Sequence, residues 1–107
     1  MDPTANLEAL IAAGKDSAAL RFALASRYLA ASDLEKAVEH AEAAVRLDPE
    51  YSAAWKLLGK ILAESGRNEA AAETYRHGIS VAEKRGDQQA AKEMRVFLKR
   101  LERAASP

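Results

Sequence analysis

A chain of 107 residues holds one small domain with a single core, and this one is 49% apolar, leaning on Ala, with only 6% aromatics. It has no cysteine, which excludes disulfides, thiolate metal sites and Cys nucleophiles together, and it has no run of ~18 apolar residues that would cross a membrane. Net charge is zero, but residues 1–50 carry 5 Lys/Arg against 9 Asp/Glu and residues 51–107 carry 11 against 7, so the halves stand at −4 and +4.

Ala has the best helix propensity, β-branched residues are sparse, and no stretch alternates apolar with polar, so every element is read as a helix. Asp2-Pro3 reads as an N-cap followed by Pro at the first helical position. Leu7, Leu10 and Ile11 then form the apolar face of a helix over 3–14, which Gly14 ends. Asp16-Ser17 offers the next cap. Leu20, Leu24 and Tyr28 follow at intervals of four, with Ala25 beside them, giving a helix to about Ala31. Ser32-Asp33-Leu34-Glu35 has the spacing of a capping box, in which Ser32 caps and Glu35 reaches back to its amide. The third helix turns Leu34, Ala37, Val38, Ala41, Ala44 and Val45 inward and runs to Leu47.

Asp48-Pro49 repeats the cap-then-Pro device and is expected to open the fourth helix, where Trp55, Leu58, Gly59 and Leu62 sit at i, i+3, i+4 and i+7. Gly66 closes it. The fifth helix carries Ala70, Ala71, Thr74, Tyr75, Gly78, Ile79 and Ala82 and stops at Gly86. Asp87 caps the last, with Ala90, Met94, Phe97, Leu98 and Leu101 as a buried seam and Lys92, Arg95, Lys99 and Arg103 as the outer stripe; Ala104 to Pro107 are expected to fray. Turns this short make neighbouring helices antiparallel. A large aromatic, a small residue where two helices touch, and an Ala/aromatic pair facing back describe a helical hairpin.

A shift of 34 residues superposes Ala19 on Ala53, Leu24 on Leu58, Glu35 on Glu69, Ala37 on Ala71 and Glu39 on Glu73. Over about residues 17–86 the chain resembles the tetratricopeptide repeat family. The second unit carries that pattern with Trp55, Leu58, Gly59, Ala71 and Tyr75, and the first with Leu24, Tyr28, Ala37, Ala44 and Pro49. Departures are Arg21 in the Trp position, Ala25 for Gly and Ala41 for the aromatic in the first unit. In the second they are Leu62 for Tyr, Gly78 for the second Ala, and no Pro near Glu83. The resemblance implies an all-α fold of about six helices, antiparallel hairpins stacked as a short right-handed α-solenoid. One domain over 1–107 would comprise an N-terminal helix at 3–14, hairpins at 17–48 and 49–86, and a capping helix at 87–104 that hides the apolar end of the stack.

Catalytic chemistry finds no support. His40 and His77 lack a second ligand at i+3 or i+4 and read as exposed or partly packed; Glu35, Glu39 and Glu42 read as one solvated helix face. The five glycines stand singly, so no phosphate loop exists, and no base and acid accompany a serine. Neither an enzyme nor a cofactor is implied. Met1-Asp2-Pro3-Thr4 lacks the start of a signal peptide, and a cytoplasmic location is expected.

The resemblance further implies a groove that receives a peptide or a partner's helix. Similarity places Phe22, Ser26 and Leu29 on it in the first unit and Lys56, Lys60 and Ala63 in the second, continued by Gln89, Lys92, Val96 and Lys99. Phe22 is free either to face the groove or to pack on the N-terminal helix. The four lysines suggest an acidic or C-terminal carboxylate ligand with Phe22 and Leu29 as apolar grip, although exposed lysines are ordinary on helices. Some relatives clamp a chaperone's carboxylates with Lys and Asn where this chain has Phe22 and Ser26, so that clamp is absent. Two other readings remain. Nucleic-acid binding through Lys92, Arg95, Lys99, Arg100 and Arg103 is disfavoured by overall neutrality and the lack of an aromatic platform. Self-association to a homodimer would use an incompletely capped end, at Leu7/Ile11 or around Val96.

Overall fold

The caps and glycine stops divide the chain into six helices in a computed structural model that describes residues 2–106. They are α1 (Pro3–Ala12), α2 (Ala18–Ala30), α3 (Leu34–Leu47), α4 (Ser52–Glu64), α5 (Asn68–Arg85) and α6 (Gln88–Ala105). No strand occurs among the described residues, and no helix there is long and apolar enough to cross a membrane. The fold is an all-α helical repeat. α6 continues through Ala105 where fraying was expected from Ala104 onward; Pro107 lies outside the described residues.

Four of the five interhelical turns begin with the same device. Gly14, Ser32, Gly66 and Gly86 all have positive φ. In each case the amide of that residue bonds to the carbonyl three before it, and the next amide bonds to the carbonyl five before itself: Gly66 to Ala63 and Arg67 to Leu62, or Ser32 to Leu29 and Asp33 to Tyr28. This double bond pattern satisfies the last carbonyls of a helix and reverses the chain sharply. Ser32 therefore terminates α2 and does not cap α3, as its sequence context suggested. Asp33 is the cap, its carboxylate accepting from the Lys36 amide at 3.3 Å. With φ at 60°, Ser32 has the left-handed conformation that ends a helix and not the extended one usual at an N-cap.

The fifth turn differs. Asp48 accepts from the Glu50 amide at 3.1 Å, closing a turn two residues on, and α4 starts only at Ser52 with no side-chain cap. Asp48-Pro49 is thus a linker and not the first turn of α4. Trp55 returns to it, its indole N–H donating to the Pro49 carbonyl at 2.8 Å.

Hairpins α2/α3 and α4/α5 are joined by α3 against α4, while α1 packs on α2 and α6 on α5. The result is elongated, 46 × 30 × 18 Å, as expected when each layer touches only its neighbours. The main core runs through both hairpins: Ala25, Ala37, Ala41, Ala44 and Ala54 bring the backbones close, and Leu58, Ile61 and Leu62 fill the space between them. A second cluster, Tyr75, Ala82, Ala90, Ala91 and Met94, holds α6 to α5. α1 buries no residue completely; Leu7 and Ile11 are half-buried, and Glu8 accepts a hydrogen bond from the Tyr28 hydroxyl.

Two glycines are required by these contacts. A Cβ on Gly59 would lie 2.7 Å from Tyr75 Cδ1, inside the van der Waals limit of a buried ring. One on Gly78 would meet Trp55 Cβ at 2.9 Å and Met94 Sδ at 2.6 Å, which explains why this position departs from Ala. Gly59→Ala is expected to cost about 2 kcal/mol in urea unfolding through overpacking. In a double-mutant cycle with Tyr75→Leu, the pair should be less destabilised than the sum of the singles; strict additivity would refute the contact. Ser32→Gly should stabilise by about 0.5–1 kcal/mol, since glycine adopts this φ without strain. A loss of stability would show that the Ser32 side chain has a role the turn does not reveal.

Candidate protein-interaction surface

Because hairpins alternate, α2, α4 and α6 lie side by side: α2 contacts α4, and α4 contacts α6. The residues named for a groove fall on these three helices. Phe22 is half-buried with its ring stacked on Tyr51 at 5.2 Å and 28°, so it does not stand free. Ser26, Leu29 and Ala63 are half-buried and Lys60 is exposed. Lys56 donates to Glu93 of α6 at 2.8 Å, and this ammonium holds the Glu93 carboxyl below the usual carboxylate range. One of the four lysines expected to charge this face is therefore paired.

On α6 the named residues and those facing α4 lie side by side. Gln89, Lys92, Val96 and Lys99 are all exposed, and the side chains turned toward α4 are Glu93, Phe97 and Arg100. Gln89, Lys92 and Val96 line a hollow of about 160 Å³ with Glu93 and Phe97; Lys99 lines neither this hollow nor the larger one beside it. That larger cavity, about 300 Å³, opens between α4 and α6 with Lys60, Ala63 and Glu64 on one wall and Phe97, Arg100 and Leu101 on the other. Tyr75 forms its floor, almost fully buried and tilted against Phe97 at 5.7 Å. Burial is the main cause of the Tyr75 hydroxyl's rise to about 12.

The α6 residues named from the sequence do not include Glu93, Phe97 and Arg100. Lys56 meets Glu93 at a separation of 37, because α5 has 18 residues where α3 has 14. Phe97 and Arg100 stand at that same separation from Lys60 and Ala63. The available signal was the stripe 93, 97, 100 at i, i+4 and i+7, which runs along the edge of the apolar seam that includes Phe97. Two polar contacts set α6 against α4, Lys56 with Glu93 and the buried Ser52 hydroxyl donating to Asp87 at 2.6 Å, while Phe97 on Tyr75 holds α6 to α5. The Ser52 bond lowers the Asp87 carboxyl, which also caps α6 through the Ala90 amide.

At the other end a polar cluster takes up the position where the repeat pattern has Trp. Arg21 donates twice to Asp16, at 2.8 and 2.9 Å, and again to His40 Nδ1 at 3.1 Å. The His40 ring lies parallel to Tyr28 at 5.5 Å and is buried, where the sequence suggested an exposed or partly packed histidine. The Arg21 donation requires neutral His40 with its proton on Nε2. Burial, with the Arg21 charge second, holds His40 below its ordinary value, and the Glu8 hydrogen bond raises Tyr28 to about 12. In the second unit Trp55 fills the corresponding place and meets exposed His77 at 4.3 Å. Among the described residues no cluster of His, Asp and Glu has the geometry of a metal site.

A model of the tetratricopeptide repeat matches residues 5–49 and 22–91. The chain belongs to the tetratricopeptide repeat family. It is similar to the TPR repeat-containing protein PA0015 of Pseudomonas aeruginosa, 48% identical over 98 residues that cover 92% of this chain and 93% of that protein. Among solved structures it is similar to protein BPP2914 from Bordetella parapertussis, at 42% identity and a TM-score of 0.84, covering 97% of this chain and 90% of that one. A tetratricopeptide repeat domain protein from Salinibacter ruber follows at 30% identity and TM-score 0.76, over 81% of this chain and 88% of its own. Tetratricopeptide repeats are generally protein–protein interaction modules and non-catalytic scaffolds.

The buried tetratricopeptide-repeat histidine generates a pH prediction. His40 prefers its neutral form in the fold, so its contribution is complete above the unfolded value of 6.5 and declines as pH falls below it. Glu8, Glu39 and Asp16 oppose this shift but do not cancel burial and Arg21. Urea unfolding free energies should therefore fall from pH 7 to pH 5, and His40→Phe should flatten that slope. Equal slopes in the two proteins would assign the acid loss to other groups.

Proposed function

We propose that this chain is a non-catalytic scaffold that holds a peptide or helix of a partner protein along the face formed by α2, α4 and α6. The supporting observation is that this face carries two adjoining open hollows, between α4 and α6 and along α6, with aromatic and aliphatic walls that no element of the chain covers. In this reading α1 and α6 close the two ends of a single stacked domain, and the ligand runs across Ser26, Leu29, Lys60 and Ala63. Lys60, Lys92, Lys99 and Arg100 form no ion pair among the described residues, which favours an acidic segment. A cytoplasmic location belongs to the same reading.

Self-association is a second reading with its own observation. Leu10 on α1 and Val96 on α6 are 40% and 44% exposed, on the two helices at the ends of the chain. The nucleic-acid reading loses ground because Arg95, one of the five cations it names, is paired with Glu83.

Affinity capture from a lysate of the source organism tests the face. Ser26→Arg/Ala63→Arg places bulk and charge on it, whereas Glu39→Arg/Glu73→Arg alters exposed positions of α3 and α5; circular dichroism verifies that both variants fold. Loss of a captured protein only with the first pair is the expected result. Loss only with the second pair would move the interaction to α3 and α5, and a mass that rises with concentration in place of capture would favour self-association.

A further inference from the structure

We propose that the cavity between α4 and α6 is a subsite for one aliphatic or aromatic side chain of an acidic peptide, with Lys60 and Arg100 taking carboxylates next to that side chain. The proposal rests on the groove reading above and assigns its specificity. At about 300 Å³ the cavity is twice the ~150 Å³ of an apolar void that accommodates benzene, so it has room for a ring or a branched aliphatic group but not for a long segment. Its surroundings are apolar where such a group would rest: Tyr75 below, Ala63 and Phe97 at the sides.

The floor is preorganised. Tyr75 is 3% exposed and its ring lies against Gly59, where no side chain intervenes, so the floor cannot sink. Phe97 leans on Tyr75 at 5.7 Å and is covered on its own ring by Arg100, with the guanidinium carbon 5.8 Å from the centroid. That stacking keeps a planar, always-charged donor at the mouth of the cavity without using its hydrogen-bonding edge. Lys60 contributes the other cation from α4, and neither forms an ion pair among the described residues.

Charge complementarity selects the occupant. Lys56 is already neutralised by Glu93, whereas at the cavity rim two cations face the single carboxylate of Glu64. An acidic residue beside the buried side chain would meet Lys60 and Arg100, while a basic one would gain only Glu64. Ala63 is what leaves the cavity open: any larger residue there would fill it from α4.

The test is a phage-displayed random dodecapeptide library panned on the full-length protein. Enriched sequences should carry Phe, Leu, Ile or Trp within two residues of Asp or Glu. A synthetic peptide from the enriched set, titrated by fluorescence anisotropy, should lose at least tenfold in affinity with Lys60→Glu and with Arg100→Glu. It should lose as much with Ala63→Met, which fills the cavity without changing charge, and Lys99→Glu, outside the cavity, should change binding less than twofold. Circular dichroism and amide spectra control for folding. Should selected peptides bind on Phe22, Ser26 and Leu29 with no effect of these variants, the groove reading stands and this subsite is refuted. Should they shift only α3 and α5 amides, or not be enriched at all, both are refuted. A dimer that dissociates with Lys60→Glu would give the cavity to a second copy of this chain and overturn the peptide assignment.

Discussion

The contact on which the structure depends is the ring of Tyr75 laid against Gly59. It brings α4 and α5 together at a distance that a single methyl group would forbid, and it buries the largest side chain of α5 in doing so. Everything at the C-terminal end is stacked on that ring. Phe97 leans on it, Met94 slides under Gly78 beside Trp55, and α6 is thereby held in place next to α4. The alanines of α3 and α5 have the same use on a smaller scale: a small residue on one helix admits a larger one from its neighbour, and the layers interlock.

The two ends of the stack are held by different forces. α6 is amphipathic, buries Ala90, Ala91 and Met94 completely or nearly so, and adds two polar ties to α4, through Ser52–Asp87 and Lys56–Glu93. α1 has no completely buried residue and relies on two half-buried aliphatics with a hydrogen bond from Tyr28 to Glu8. Hydrophobic burial scales with area, so α1 is the helix with the least to lose on opening. Arg21 reinforces this end by linking Asp16 before α2 to His40 on α3. This substitutes a charged, bidentate tie for the aromatic packing that Trp55 provides in the second unit.

The relation between the two units also determines how charge is distributed over the α2/α4/α6 face. A perfect third repeat would have continued the lysine stripe of α4 onto α6. The longer α5 displaces α6 along the stack, so that Glu93 meets Lys56 and an aromatic and an arginine meet Lys60 and Ala63. A uniform basic strip becomes a neutral stretch followed by a compact site in which an apolar cavity and two cations coincide.

Local chemistry made the helices legible in the sequence. Asp2, Ser17 and Asp87 cap α1, α2 and α6 as read, and Gly14, Gly66 and Gly86 stop three helices, because caps and left-handed stops act through residues adjacent in the chain. The inward faces were equally readable, since a 3.6-residue period records burial directly. Ser32 was misread because the adjacent Asp33 takes the capping bond, and Asp48 because its carboxylate closes a turn at the Glu50 amide before α4 begins. The seam and the outer stripe of α6 were among these readable faces, but which of its side chains meet α4 was decided by tertiary structure. Its position follows from the length of α5 and from the space left by Gly78 and Tyr75, and neither quantity repeats with the 34-residue period. For the same reason the pairing of Lys56, the burial of His40 and the cavity beneath Lys60 and Arg100 could not be read in order along the chain: each joins residues from helices whose relative placement exists only once the core has packed.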